Sequence, residues 1–186
     1  MGDLISAIKR FVIKRKITET IRDWKPVWPR TITFDLDRKS VNGLGFGADV
    51  AACELFGKPD RMDARDNGEV MFLYQQNCLV LEFDRSVLDY AAVVLSLEQG
   101  LYGWEKIEPA PGRWADLTLA RGGKTLSVDG RTREDAVAAF LGRPGNRDED
   151  DEEIVLFYTI NGLELEIELT KEGCVKRVNL FSGNAG

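Results

Sequence analysis

Two hydrophobic rhythms run along the chain. Period two is clearest in LELEIELT (163–170), where Leu163, Leu165, Ile167 and Leu169 point one way and Glu164, Glu166 and Glu168 the other. That alternation predicts a strand with one buried and one polar face. TITFDL, from Thr31, and DLTLA, from Asp116, read the same way. EVMFLYQ with NCLVLEFD, and EIVLFYTI with LELEIELT, read as two antiparallel hairpins, each followed by a closing strand, DYAAVVLSL or CVKRVNLF. Asn161-Gly162 joins the second hairpin, and both residues tolerate positive φ. Period 3.6 is confined to GADVAACELFG, with Cys53 on its apolar face, to TREDAVAAFLG, with Ala136, Val137, Phe140 and Leu141, and to the N-terminus. Thr132 fits an N-cap, and Glu134 and Asp135 suit a first helical turn. Gly57 and Gly142 fit left-handed helix stops, with Pro59 and Pro144 two residues on.

The segments recur in order. At an offset of 85, Phe56-Gly57-Lys58-Pro59 meets Leu141-Gly142-Arg143-Pro144, Ile32-Thr33-Phe34 meets Leu117-Thr118-Leu119, and Val93 meets Val178. One residue fewer in the intervening loop aligns Tyr74 with Tyr158 and Leu79 with Leu163. An ordered series of this kind predicts tandem repeats. The expected fold is therefore α+β: two units, each one helix packed on an antiparallel sheet of about four to five strands, plus an N-terminal amphipathic helix. The expected boundaries are 1–30 for the helix and a Trp/Pro segment, 31–100 for the first unit, 101–115 for an aromatic linker and 116–186 for the second unit.

At the N-terminus, Leu4, Ile8 and Phe11, with Ile5 and Val12, recur at helical spacing among Lys9, Arg10, Lys14, Arg15 and Lys16. Pro26 and Pro29 end regular structure beyond it. The candidate docking residues are Ile8, Lys9, Phe11, Val12, Lys14 and Arg15. Such a helix packs on the acidic body of its own chain, on a second copy or on a membrane surface. MGDLIS also fits a short myristoylation pattern.

Charge sharpens this picture. The 186 residues carry a net −6, but eight cations against Asp3, Glu19 and Asp23 give residues 1–30 a charge of +5, leaving −11 on the rest. An acidic body argues against nucleic acid as a partner. Cys53, Cys78 and Cys174 are odd in number and far apart, which suits reduced thiols rather than a disulfide framework or zinc. Lys9 and Arg10 interrupt the only apolar stretch near the N-terminus, which does not fit a secretory signal. A cytoplasmic protein is expected.

A helix ending in Leu141-Gly142-x-Pro144, then a meander with Tyr158 in its first strand and glycines at 162 and 173, resembles a known superfamily. It includes the tandem-repeat β-lactamase inhibitor proteins and the small lipoprotein of the outer-membrane β-barrel assembly machine. Phe56, Gly57, Pro59 and Tyr74 match in the first unit, where Cys78 and Leu88 replace the return glycines. The resemblance covers most of both units and none of the first 30 residues. It implies a non-catalytic protein that binds other proteins on an exposed sheet.

The chain has no histidine, which removes His-based nucleophile pairs and imidazole metal sites. GLGFG (43–47) lacks the spacing of a dinucleotide loop, and DEDDEE (148–153) lacks that of a calcium loop. No catalytic residue, cofactor or metal site is assigned. The leading expectation is a non-catalytic module that binds another protein through an exposed sheet face or the linker aromatics, with a basic partner as one form. Its candidate residues are Glu164, Glu166 and Glu168 on the sheet, where Lys176 and Arg177 can pair with them across strands, and Tyr102, Trp104 and Trp114 in the linker. An immunity or inhibitor protein blocking a basic enzyme is a specific form of that reading. The alternatives are an enzyme working with carboxylates alone and a membrane-surface adaptor acting through residues 1–22.

Overall fold

The computed structural model describes residues 2–27, 29, 31–65, 67–96 and 116–183, with side chains from residue 11 onward. Helix α1 spans Gly2–Ile21. The strands that follow are β1 (Thr31–Asp35), β2 (Ser40–Val41), β3 (Leu44–Gly45), β4 (Arg61–Ala64), β5 (Glu69–Tyr74), β6 (Leu79–Asp84) and β7 (Val87–Val94). A 3-10 helix, Val50–Phe56, separates β3 from β4. Then come β8 (Asp116–Arg121), β9 (Lys124–Val128), helix α2 (Glu134–Leu141), β10 (Asn146–Glu149), β11 (Glu153–Ile160), β12 (Leu163–Thr170) and β13 (Val175–Ser182).

The strands form two sheets. One has five strands in the order β3-β2-β1-β8-β9, and the other has eight in the order β10-β11-β12-β13-β7-β6-β5-β4. This overturns the expected α+β fold of two units, each a helix over its own sheet. Strand accounts for 51% of the chain and helix for 19%, so sheet dominates. The reason is reach. An eight-residue helix is about 12 Å long, whereas four strands are about 14 Å across. Helix α2 is thus shorter than a meander is wide. Instead β7 and β13 pair edge to edge, Val93 opposite Val178, and fuse the two meanders. The opening strands leave their own segments and pair in parallel, Ile32 opposite Leu117 and Phe34 opposite Leu119. All four of these side chains are fully buried and share one core with the inner face of the larger sheet.

The short helices fill the ends. Asp49 caps the 3-10 helix by accepting from Ala51 N at 2.8 Å. Gly57 ends it at φ 73°, ψ −165°, which is positive φ but not the left-handed helical stop that the Gly-x-Pro echo suggests. Gly57 is required for a second reason: a Cβ there would lie 2.4 Å from the Lys25 carbonyl oxygen. Arg133, not Thr132, holds the cap position of α2; the Thr132 hydroxyl accepts from Asp129 N instead. Helix α1 lies against β4 and the 3-10 helix. It buries Ile17 and Ile21, and Trp24 just beyond it sits edge-on to Phe72 with centroids 6.2 Å apart.

Candidate functional site

The outer face of the eight-stranded sheet carries a polar cluster centred on β12 and β13. Strict alternation on β12 sends Glu164, Glu166 and Glu168 outward, opposite Phe181, Asn179 and Arg177 of β13. A bulge follows, since Glu168 faces Arg177 while Leu169 faces Val175, and Lys176 is the extra residue. Bulges re-aim side chains. Here Lys176 joins Arg177 on the acidic side, where its Nζ meets Glu153 and lies 4.0 Å from Glu168 Oε2. Pairing of β13 with β7 then places Tyr90 opposite Phe181, and pairing of β7 with β6 places Glu82 opposite Tyr90.

A hydrogen-bonded chain runs through these residues. The Tyr90 hydroxyl donates to Asn179 Oδ1 at 2.8 Å, and Asn179 Nδ2 donates to Glu168 Oε1 at 2.9 Å. Arg177 Nη2 donates to the same carboxylate oxygen. Glu168 and Arg177 are each 7% exposed and Asn179 1%, so this ion pair is removed from water. Breaking such a pair by deleting one partner is costly, because the other charge stays buried. Tyr90 also packs on Phe181, with ring centroids 4.8 Å apart.

Two further carboxylates flank the chain without being locked by it. Burial pushes the Glu166 carboxyl above its ordinary range, and the neighbouring Glu168 and Glu164 add to this against the pull of Arg177. Burial likewise raises Glu82, opposed by Arg65 and aided by Glu69 and Asp89. The Tyr90 hydroxyl is also raised, chiefly by burial, so it serves as a neutral donor. Glu82 and Glu166 lie on β6 and β12, with β7 and β13 between them. Three strand spacings amount to about 14 Å. Glycosidase carboxylates work at about 5–9.5 Å, so these two cannot act as one pair.

The sequence candidates scatter. Of the β12 stripe, Glu164 is exposed, Glu166 half-buried and Glu168 buried. Only the first two therefore have carboxylates available to an incoming group. Tyr102, Trp104 and Trp114 lie outside the described residues, and so do the side chains of Ile8 and Lys9. Phe11, Val12, Lys14 and Arg15 are exposed on α1 and contribute nothing to the sheet site. Tyr90, Asn179 and Glu82 escape sequence reasoning. Their only signal is a polar residue inside otherwise apolar strands, as in DYAAVV and RVNLF.

Two other polar regions lie apart from this cluster. The acidic run 148–153 spans the end of β10, the turn and the start of β11, and Asp150 Oδ1 accepts from the Glu152 and Glu153 amides at 2.8 and 2.9 Å. Glu149 is taken by Arg147 and Lys171. Among the described residues no cluster of three or more metal-ligating side chains forms. A cleft of about 440 Å³ is lined by Lys39, Asp84, Arg85, Asp89 and Ser182, with Ser182 donating to Asp89. Its two cations balance its two carboxylates, so it favours no sign of ligand.

No protein-family model and no curated protein matches the chain. Among solved structures it is similar to a DUF4309 family protein from Bacillus subtilis, at 14% identity and a TM-score of 0.44, covering 91% of this chain and 95% of that one. It is also similar to a cysteine-rich secretory protein from Staphylococcus aureus, at 13% identity and a TM-score of 0.36, covering 74% of this chain and 44% of that one. Identity and score are both too low for either protein's role to bear on this chain.

Proposed function

We propose that the chain is a non-catalytic binding protein that docks a basic protein partner on the outer face of β11, β12 and β13. The observation that carries this reading is Glu166. It is half-buried, its carboxyl is raised by burial, and it stands beside Glu168, which is already paired with Arg177. A partly desolvated carboxylate with no ion pair of its own among the described residues is unfavourable in the free protein. A lysine or arginine from a partner relieves that cost, and Glu164 at the exposed rim steers it in. Phe157 and Phe181, on the same face and half-buried, supply apolar contact beside the charge. Inhibition of a basic enzyme is the finer form of this reading, since an acidic face held rigid by a sheet suits occlusion of a cationic site. An enzyme with paired carboxylates is disfavoured by the spacing of Glu82 from Glu166 and by the engagement of Glu168.

The test uses an arginine-rich peptide as probe, titrated into the whole protein by calorimetry, with an acidic peptide of equal length as control. Glu164→Lys with Glu166→Lys is the diagnostic double variant. Glu168 is left intact, because losing it would strand Arg177. The expected result is saturable binding of the basic peptide alone, weakened about tenfold or more in the double variant and further by salt. Equal binding by the wild type and the double variant, or no binding at all, sinks the proposal.

A further inference from the structure

We propose that the outward side of α1 docks the protein on an anionic lipid bilayer. This inference does not rest on the acidic sheet face. Helix α1 attaches to its own body through one arc: Ile17 and Ile21 are buried, and Ile13 packs against the core. At 3.6 residues per turn these positions lie within about a quarter of the circumference, and Phe11 and Val12 fall outside it. Phe11 is 66% exposed and Val12 58%, the most exposed large apolar side chains among the described residues. In sequence, Leu4, Ile5 and Ile8 lead up to them at the same helical spacing. The sequence thus gives the helix two apolar series; the fold buries Ile17 and Ile21 of the second and leaves Phe11 and Val12 of the first exposed.

The cations point to the nature of the partner. Lys14, Arg15 and Lys16 are all exposed. Arg15 pairs with Glu19 one turn along the same helix, at 3.1 Å. Among the described residues no ion pair links α1 to the acidic body. Attraction to body carboxylates therefore does not hold Lys14, Arg15 or Lys16 in place. An exposed Phe-Val step surrounded by lysine and arginine suits the headgroup boundary of an anionic bilayer, where rings and aliphatic groups enter the acyl edge and ammonium groups meet phosphates. A phosphodiester polymer would leave the Phe-Val step in water. The remainder of the chain carries −11 against +5 for residues 1–30. A negative surface therefore repels the body and orients α1 toward itself. Among the described residues no helix is long and apolar enough to cross a membrane, so docking lies in the plane of the surface.

The whole protein is sedimented with vesicles of phosphatidylcholine alone and with vesicles that also contain phosphatidylglycerol. Binding is expected only to the anionic vesicles, and it should weaken with added salt. Phe11→Glu with Val12→Glu should reduce it at least tenfold. Lys14→Glu with Lys16→Glu should reduce it by about fivefold or more per cation. All four positions are exposed, so thermal unfolding should be unchanged and serves as the folding control. Absence of sedimentation, equal binding to both vesicle types, or binding that survives both double variants overturns the proposal. So does self-association in light scattering that the Phe11/Val12 variant abolishes, which would assign the face to a second copy.

Discussion

The meander β4–β7 and the meander β10–β13 share one sheet and one inner face, yet their outer faces differ in kind. Inside, Val70, Phe72, Leu79, Leu81 and Phe83 of the first correspond to Ile154, Leu156, Leu163, Leu165 and Ile167 of the second, and all are buried. Outside, the first presents Met71, Leu73, Val80, Ala92 and Val94, all buried. The second presents Thr159, Glu164, Glu166 and Glu168. Apolar residues on both sides of a strand mark burial on both sides, and alternation marks one polar face. One sheet therefore divides its work. The outer face of the first meander is mostly packing, with Glu82 and Tyr90 polar at its border, and the second keeps one face for polar contact. The hydrogen-bonded chain from Tyr90 to Glu168 sits where the two kinds of surface meet.

The sharpest way to break this comparison is a lysine on each half of the same face. Val80 is 6% exposed, whereas Glu164 is exposed. Val80→Lys buries a charge with no assigned partner and should cost about 3 kcal/mol or more. Glu164→Lys should stay within about 0.5 kcal/mol of wild type. Urea unfolding of the two variants measures the gap. Similar midpoints would mean that the outer face of β6 is as open as that of β12, and the division of the sheet would disappear.

Much of the strand content is legible in the sequence, because period two needs only local residues. LELEIELT gives its buried and polar sides directly, and Asn161-Gly162 gives its turn, with φ of 53° and 75°. Sheet assembly is not legible in the same way. The β7–β13 and β1–β8 pairings join backbone groups that every residue carries, across long separations, and no side-chain pattern announces them. The site inherits that limit. Glu164 and Glu166 can be placed on a polar face from β12 alone. The locking of Glu168 depends on Arg177 across a bulge, and Glu82 and Tyr90 arrive only once the two meanders fuse. Helix type escapes for another reason: the segment Val50–Phe56 is tethered at both ends, by the Asp49–Val87 and Pro26–Gly57 bridges, and winds as a 3-10 helix between them.

A smaller contrast tests the inner face. Tyr74 donates its hydroxyl to the Gly57 carbonyl at 3.2 Å and touches Cys53 Sγ at 3.7 Å. Tyr158, in the matching strand, is also buried, but its hydroxyl has no hydrogen-bond partner among the described residues. Burial, with Glu134 nearby, pushes that hydroxyl up to about 12. Tyr74→Phe removes a satisfied donor and strands a carbonyl, at a cost of about 1–2 kcal/mol. Tyr158→Phe removes an unsatisfied group and should be neutral or slightly stabilising. Equal losses in denaturant melts would show that Tyr158 is satisfied after all.

The finest test is of sign rather than size. The carboxyls of Glu82 and Glu166 are raised by burial, so the folded chain binds these protons more readily than the unfolded chain. Their contribution to stability is complete below the unfolded carboxylate range, about pH 4, and is lost as pH rises through the folded value. Once ionised, both groups therefore work against folding. Glu82→Gln and Glu166→Gln should melt higher than wild type at pH 7, with the gap closing as pH falls through the raised range. Glu149 supplies the opposite case, because hydrogen bonds from Arg147 and Lys171 hold its carboxyl below the usual range. Glu149→Gln should melt no higher than wild type at pH 7, and any deficit should fade as pH falls through that depressed value. Melting curves across this pH series separate the two groups. A pH-independent gap for Glu166→Gln would mean that its carboxylate is not desolvated, and the argument for a cationic partner at that position would lose its physical basis. If the sign holds, the protein keeps an ionised group that disfavours its own fold on a polar surface of its sheet. A residue retained against stability is what a binding site requires and a structural face does not.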